Sequence, residues 1–141
     1  MVSTIYPPGN KEVALPKLKF ISIYVMGGSC NESCSYCYIY SPFNTEVMNL
    51  FQKYKNMQNR VEIPFEKFQN IIDDAHKLGV IHLSLTADGD PFLHPKMNDM
   101  IGYAYEKGFI IDIATHGAFF KKNMGVMDKV SQLKIHLVSV V

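Results

Sequence analysis

The chain has 141 residues, 48% of them apolar and 19% charged, with a formal net charge of +1. That length suits one domain on a prior of about 150 residues each, and the apolar share excludes a disordered or low-complexity chain. The scattered lysines and arginines leave no electrostatic footprint for nucleic acid or an anionic membrane.

No apolar run approaches the roughly 18 residues of a membrane span. The opening MVSTIYPPGNKEV lacks the basic-then-apolar order of a secretion signal. A cytoplasmic protein, with reduced thiols, is therefore expected.

Residues 1–19 carry turn formers (Pro7, Pro8, Gly9, Asn10) and read as an extended lead-in. The run FISIYVM within Lys17 to Met26, closed by Gly27 and Gly28, reads as a strand buried on both faces. Behind it come Cys30, Cys34 and Cys37, the only three cysteines of the chain, in the spacing C-x3-C-x2-C with Tyr36 before the last. Cysteines used for packing scatter with the core. An odd number clustered in a reducing compartment favours metal ligation over a disulfide framework.

Between Ser41 and Arg60 the helical spacing of Val47, Leu50, Phe51 and Tyr54 competes with a polar remainder, so a short helix and a mobile segment are equal readings. From Pro64 the pattern is clear. Phe65, Phe68, Ile71, Ile72, Ala75 and Leu78 form one helical face, with Pro64 in the first turn and Gly79 as the left-handed cap. Val80 to Thr86 is a second strand, ended by the turn ADGDP.

The unit then repeats. Pro95 opens a helix through Met97, Met100, Ile101 and Ala104 that Gly108 closes, and Phe109 to Ala114 forms a third strand ended by Thr115-His116-Gly117. A shorter helix from about Lys121 to Ser131 and a fourth strand, Ile135 to Val141, complete the series.

Alternating strands and helices predict an α/β fold of βαβ units: about four parallel strands, helices on the outer face, the sheet curling into a partial (β/α) barrel. Ligands in such folds gather at the carboxyl ends of the strands. The cysteine loop, ADGDP, THG and Ser139 all fall there.

With these loops placed, residues 20–141 resemble the N-terminal part of the core domain of the radical S-adenosylmethionine (SAM) enzymes. That family carries a cysteine triad of this spacing, with an aromatic residue before the third cysteine, after its first barrel strand. Here it is C30-N-E-S-C34-S-Y36-C37. The family's Gly-Gly-Glu-Pro element after the second strand corresponds to D88-G-D-P91, with Asp90 for the glutamate and Asp88 for the first glycine. Its Thr-Asn-Gly after the third strand corresponds to T115-H-G117, and Ser139 takes the position of a polar contact from the fourth.

The resemblance implies that Cys30, Cys34 and Cys37 ligate a [4Fe-4S] cluster, and that Tyr36, Asp88, Gly89, Asp90, Thr115 and Ser139 contact SAM. It implies reductive cleavage of SAM to a 5′-deoxyadenosyl radical that abstracts hydrogen from a substrate, a peptide or small molecule. An external one-electron reductant of flavodoxin or ferredoxin type would supply the electron. A six-unit barrel at this spacing would need on the order of 50 further residues, so more chain or a partner is expected to complete it.

Other readings stand beside these. Three cysteines and one of the five histidines could hold zinc, although no histidine stands near the triad in zinc-finger spacing. Asp88 and Asp90 could belong to a plain β-turn. His116 reads equally as a site contact and as a loop residue; His82 reads as structural and His94 as a helix-start residue. At the level of function, the alternative is a cluster- or metal-binding protein of this fold without catalysis.

Overall fold

The computed structural model describes residues 17–27, 30–32, 34, 37, 41, 43, 45–46 and 61–135. The lead-in before residue 17, the helical pattern of Val47 to Tyr54, Tyr36 and Ser139 lie outside the described residues.

Five strands form one sheet in the order β2-β1-β3-β4-β5. β1 (Phe20–Gly27), β3 (His82–Ala87), β4 (Ile110–Thr115) and β5 (Gln132–Ile135) pair in parallel, and the two-residue β2 (Val61–Glu62) joins β1 antiparallel. Between them run α1 (Phe65–Lys77), a 3-10 turn (Pro91–Leu93), α2 (Met97–Glu106) and α3 (Phe120–Met127). The α/β order and the four parallel strands are those the sequence pattern predicts. No helix among the described residues is long and apolar enough to cross a membrane.

One face of the sheet carries the core. Ile23 and Val25 of β1, Leu83 and Leu85 of β3, and Ile111 and Ile113 of β4 are buried under Phe68 and Ile72 of α1 and Met100, Ile101 and Ala104 of α2. The expectation that β1 is buried on both faces is corrected here: Phe20 is 51% and Tyr24 52% exposed. Crossovers of one hand place successive helices on one side of a parallel sheet, so among the described residues the opposite side is uncovered. On that side the register aligns Ser22, Ser84, Asp112 and Gln132 into a polar row.

The helix ends follow the glycines. Gly79 and Gly108 take positive φ (77° and 81°) directly after the α1 and α2 caps Leu78 and Lys107. Pro64 is the N-cap of α1, with ψ at 142°, one position earlier than the first-turn site expected. Pro95 likewise precedes its helix, and His94 organises the entry: its Nδ1 accepts from Lys96 N–H at 3.1 Å.

The last helix and strand sit earlier than their apolar residues suggest. Ser131 already bonds to β4, its N–H to Ile111 O at 2.9 Å and its Oγ accepting from Ile111 N–H at 3.2 Å. Pairing to β4 therefore starts at Gln132, and residues 136–141 lie outside the described part.

On the outer surface Asp73 Oδ1 joins α1 to α2, accepting from Tyr103 OH at 2.8 Å and from Lys107 Nζ at 2.7 Å. The Lys107 bond, then the Tyr103 bond, lowers the Asp73 pKa from its ordinary 3.8. A folded-state pKa below the unfolded one stabilises above the unfolded value and is lost as pH falls through the folded one. Acid unfolding followed by circular dichroism should thus show a smaller loss of stability below about pH 4 in Asp73→Asn than in the parent chain.

Leu85→Ala empties a fully buried position between the sheet and its helices. It should lower the unfolding free energy by about 2–5 kcal/mol in urea titration. Met124→Ala, at an exposed position of α3, should change it by less than about 0.5 kcal/mol.

Candidate functional site

The ends of the parallel strands are fastened before any loop begins. The β1–β3 register shifts between Tyr24 and Met26, a bulge that buries both Val25 and Met26 and re-aims the chain as it leaves the sheet. Asp88 N–H then bonds to Met26 O at 3.1 Å. A Cβ on Gly27 would meet Asp88 Oδ2 at 3.2 Å, so the two chains approach closely where the cysteine loop starts.

In that loop Cys37 N–H donates to Cys34 O at 3.0 Å and Ser41 N–H to Cys37 O at 3.2 Å. Cys30, Cys34 and Cys37 form no disulfide, and each is half-buried. Burial pushes the Cys30 thiol up from its ordinary value, partly offset by the Glu32 N–H on its sulfur, and the nearby Cys34, Cys37 and Asp90 push it further up. A cationic partner for these sulfurs would reverse that trend.

The three cysteines border one cavity of about 420 Å³, shared with Asp88, Gly89 and Asp90 after β3 and with Thr115 and His116 at the end of β4. Its volume lies within the range of about 300–1,000 Å³ that small-molecule sites occupy. Tyr24, Thr86 and Ala114 line it as well. These three were not singled out from sequence. They stand on the uncovered face of β1, β3 and β4, and their signal was available as the residues alternating with the buried Ile23, Val25, Leu85 and Ile113.

Asp90 is 1% exposed, and both oxygens of its carboxylate accept from protein donors. Oδ1 accepts from Phe92 N–H at 2.9 Å, which caps the 3-10 turn. Oδ2 accepts from Thr115 Oγ1 at 2.5 Å and from His116 N–H at 2.9 Å. His116 Nε2 lies 3.4 Å from the same oxygen. Thr115 Oγ1 in turn accepts from Gly117 N–H at 3.1 Å. The sequence signal for the bond to Phe92 was Asp90-Pro91, an acceptor directly before a proline-started turn.

His116 Nδ1 accepts from Ala118 N–H at 3.2 Å, which leaves the proton of the neutral ring on Nε2. Nε2 is 3.1 Å from Asn31 Oδ1 in the cysteine loop. The other histidines among the described residues stand apart from the cavity. His94 is buried with Nε2 donating to Ile63 O at 3.1 Å, and His82 lies within β3. Among the described residues no three His, Cys, Asp or Glu side chains are arranged to hold a single metal ion.

The model of the radical SAM superfamily matches residues 24–140. The chain belongs to that family. Every loop that borders the cavity falls inside the matched stretch.

An S-adenosylmethionine-dependent nucleotide dehydratase of Selenomonas ruminantium is 25% identical over 89 residues, 63% of this chain and 27% of the relative. Among solved structures, BtrN in complex with AdoMet and 2-DOIA superposes with a TM-score of 0.64 at 15% identity, covering 88% of this chain and 47% of BtrN. The chain thus spans about a quarter of the length of the one relative and about half of the other. At that identity the likeness to BtrN concerns the fold, a radical SAM fold.

Thr115→Val keeps the shape of the β4 terminus and deletes one donor to a buried carboxylate. It should cost about 1–3 kcal/mol of stability, measured by urea unfolding of the radical SAM chain without any cofactor.

Proposed function

We propose that this chain carries the cofactor site of a radical SAM enzyme, with Cys30, Cys34 and Cys37 as ligands of a [4Fe-4S] cluster and the 420 Å³ cavity beside them as the seat of SAM. The observation that carries this reading is the meeting of three half-buried thiols with the β3 and β4 loop ends around one cavity.

The donor set fits the group. A cluster takes one thiolate per iron, so its ligands surround it, whereas a single zinc ion draws four ligands to one point at about 2.3 Å from each sulfur. Held in this way by Cys30, Cys34 and Cys37, a cluster would supply one electron to the sulfonium of SAM, which would give methionine and a 5′-deoxyadenosyl radical for hydrogen abstraction.

The chain's own residues bind, orient and exclude water. The turn at Asp88 and Gly89 offers main-chain polar groups at the cavity edge to an amino acid head group, and the Ala114 and Thr115 main chain does so from β4. Tyr24 and Thr86 face the cavity from the open side of the sheet, the side from which a substrate, peptide or small molecule, would approach. Tyr36 and Ser139 are proposed as SAM contacts on the family resemblance alone. The electron would come from an external flavodoxin- or ferredoxin-like reductant.

A cluster-binding protein without catalysis is the second reading. It draws on Asp90, whose carboxylate is engaged by protein donors.

Anaerobic reconstitution with iron and sulfide, followed by dithionite and SAM, separates the two. The first reading expects 5′-deoxyadenosine and methionine in equal amounts, reduced to background by Cys30→Ser, Cys34→Ser or Cys37→Ser and by stripping the iron with a chelator. A reduced cluster whose EPR spectrum is unchanged by SAM, with no 5′-deoxyadenosine, would decide for the second.

A further inference from the structure

We infer that Asp90 and His116 are positioning residues that fasten the cysteine loop to the ends of β3 and β4, and that the Asp90 carboxylate acts on this loop and not on a ligand in the cavity. Only the consequence for a cluster rests on the function proposed above.

The hydrogen-bond geometry runs without a gap. Phe92 N–H, Thr115 Oγ1 and His116 N–H converge on the two oxygens of Asp90 at 2.9, 2.5 and 2.9 Å. A carboxylate offers about four acceptor sites, and the His116 ring, 3.4 Å from Oδ2, stands against what remains. The His116 side chain is 7% exposed, and its orientation is set from the other side by Ala118 N–H on Nδ1. That leaves Nε2–H to reach out of the pair at 3.1 Å from Asn31 Oδ1.

Asn31 lies between Cys30 and Glu32, and Glu32 N–H points at Cys30 Sγ at 3.5 Å. Asn31 Nδ2 also donates to Glu32 Oε1 at 3.3 Å. The first cysteine is therefore held by an amide whose place depends on Asn31, and Asn31 is held by His116. The bond from His116 to Asn31 crosses 85 positions of sequence. Asn31 is exposed, so packing does not hold its side chain there.

A ligand-binding role for Asp90 makes a different demand. It needs an oxygen presented to the cavity, and loss of that oxygen would weaken ligand binding while leaving the ligand-free loop as it was. The two roles differ before any cofactor is added.

The test uses the cluster-free chain under reducing conditions. A short pulse of iodoacetamide is quantified at each cysteine by peptide mass spectrometry, and the ratio of Cys30 to Cys34 labelling is the readout. Because Asn31 is exposed, Asn31→Ala retains the fold even if Asp90→Asn does not. Asn31→Ala and His116→Ala should each raise the ratio about five-fold, the weight of one net hydrogen bond. The double variant should exceed neither single one, and His116→Gln, which keeps an N–H at similar reach, should return the ratio to near the parent value. A flat ratio, multiplying effects or no rescue by glutamine would overturn the proposal.

The iron-loaded chain gives a second arm. Asn31→Ala should lose iron to a chelator faster than the parent before SAM is present, and equal rates would count against the inference. The labelling pattern with no cluster in the parent chain would uphold the fastening and remove the cluster reading. Cluster formation and SAM cleavage with flat labelling would do the reverse.

Discussion

A carboxylate carried into a protein interior forfeits its hydration, at several kcal/mol, unless donors replace the lost water. Asp90 meets that demand with donors from separate segments: Phe92 in the turn after β3, and Thr115 and His116 at the end of β4. Satisfying one side chain therefore fixes how two loop ends stand to each other. Neither loop has a comparable reason to hold its shape alone, since the 3-10 turn is three residues long and THG is a bend around Gly117 at φ 85°. Two walls of the cavity, the loop ends after β3 and β4, are joined through this one desolvated group.

The sheet makes that convergence possible. Four parallel strands deliver their carboxyl ends to one edge, where antiparallel neighbours would send alternate loops to opposite ends. Helices on one side supply the apolar burial through Leu83, Leu85, Ile111 and Ile113. The other side mixes the polar Ser22, Ser84, Thr86 and Asp112 with the exposed Phe20, Tyr24 and Ile110 at alternating positions of β1, β3 and β4. Three of the cavity's walls, Tyr24, Thr86 and Ala114, stand at its upper end.

What could be read from the sequence was whatever is decided locally. Three thiols in eight residues are a statement about spacing, and Gly79 and Gly108 are statements about φ; neither needs knowledge of the rest of the chain. The order of parallel strands followed from alternating periods. The one-sided burial of β1 did not, because FISIYVM is apolar on both faces and only the positions of α1 and α2 decide which face is covered. The start of β5 was missed for a related reason: Gln132 and Lys134 are polar, and what makes them strand is a backbone ladder to β4. The partners of Asp90 were out of reach in the same way, since Thr115 lies 25 positions away and becomes a donor only once β3 and β4 pair.

Two of the three departures from the family pattern at this edge, Asp90 for glutamate and His116 for asparagine, lie against each other. Aspartate reaches the N–H two residues ahead of it, the geometry of an Asx cap, and it does so here with Phe92. Glutamate, longer by about one C–C bond of 1.5 Å, is too long for that local ring and would carry its carboxylate farther from its own main chain. With the shorter side chain held by Phe92 N–H, the space beside it is filled by an imidazole, which an asparagine at position 116 would not fill. The ring closes over Asp90 Oδ2 and carries a donor outward to Asn31. Held by Phe92, Thr115 and His116, the Asp90 carboxylate ties the β3 loop end to the β4 loop end at the wall of the cavity.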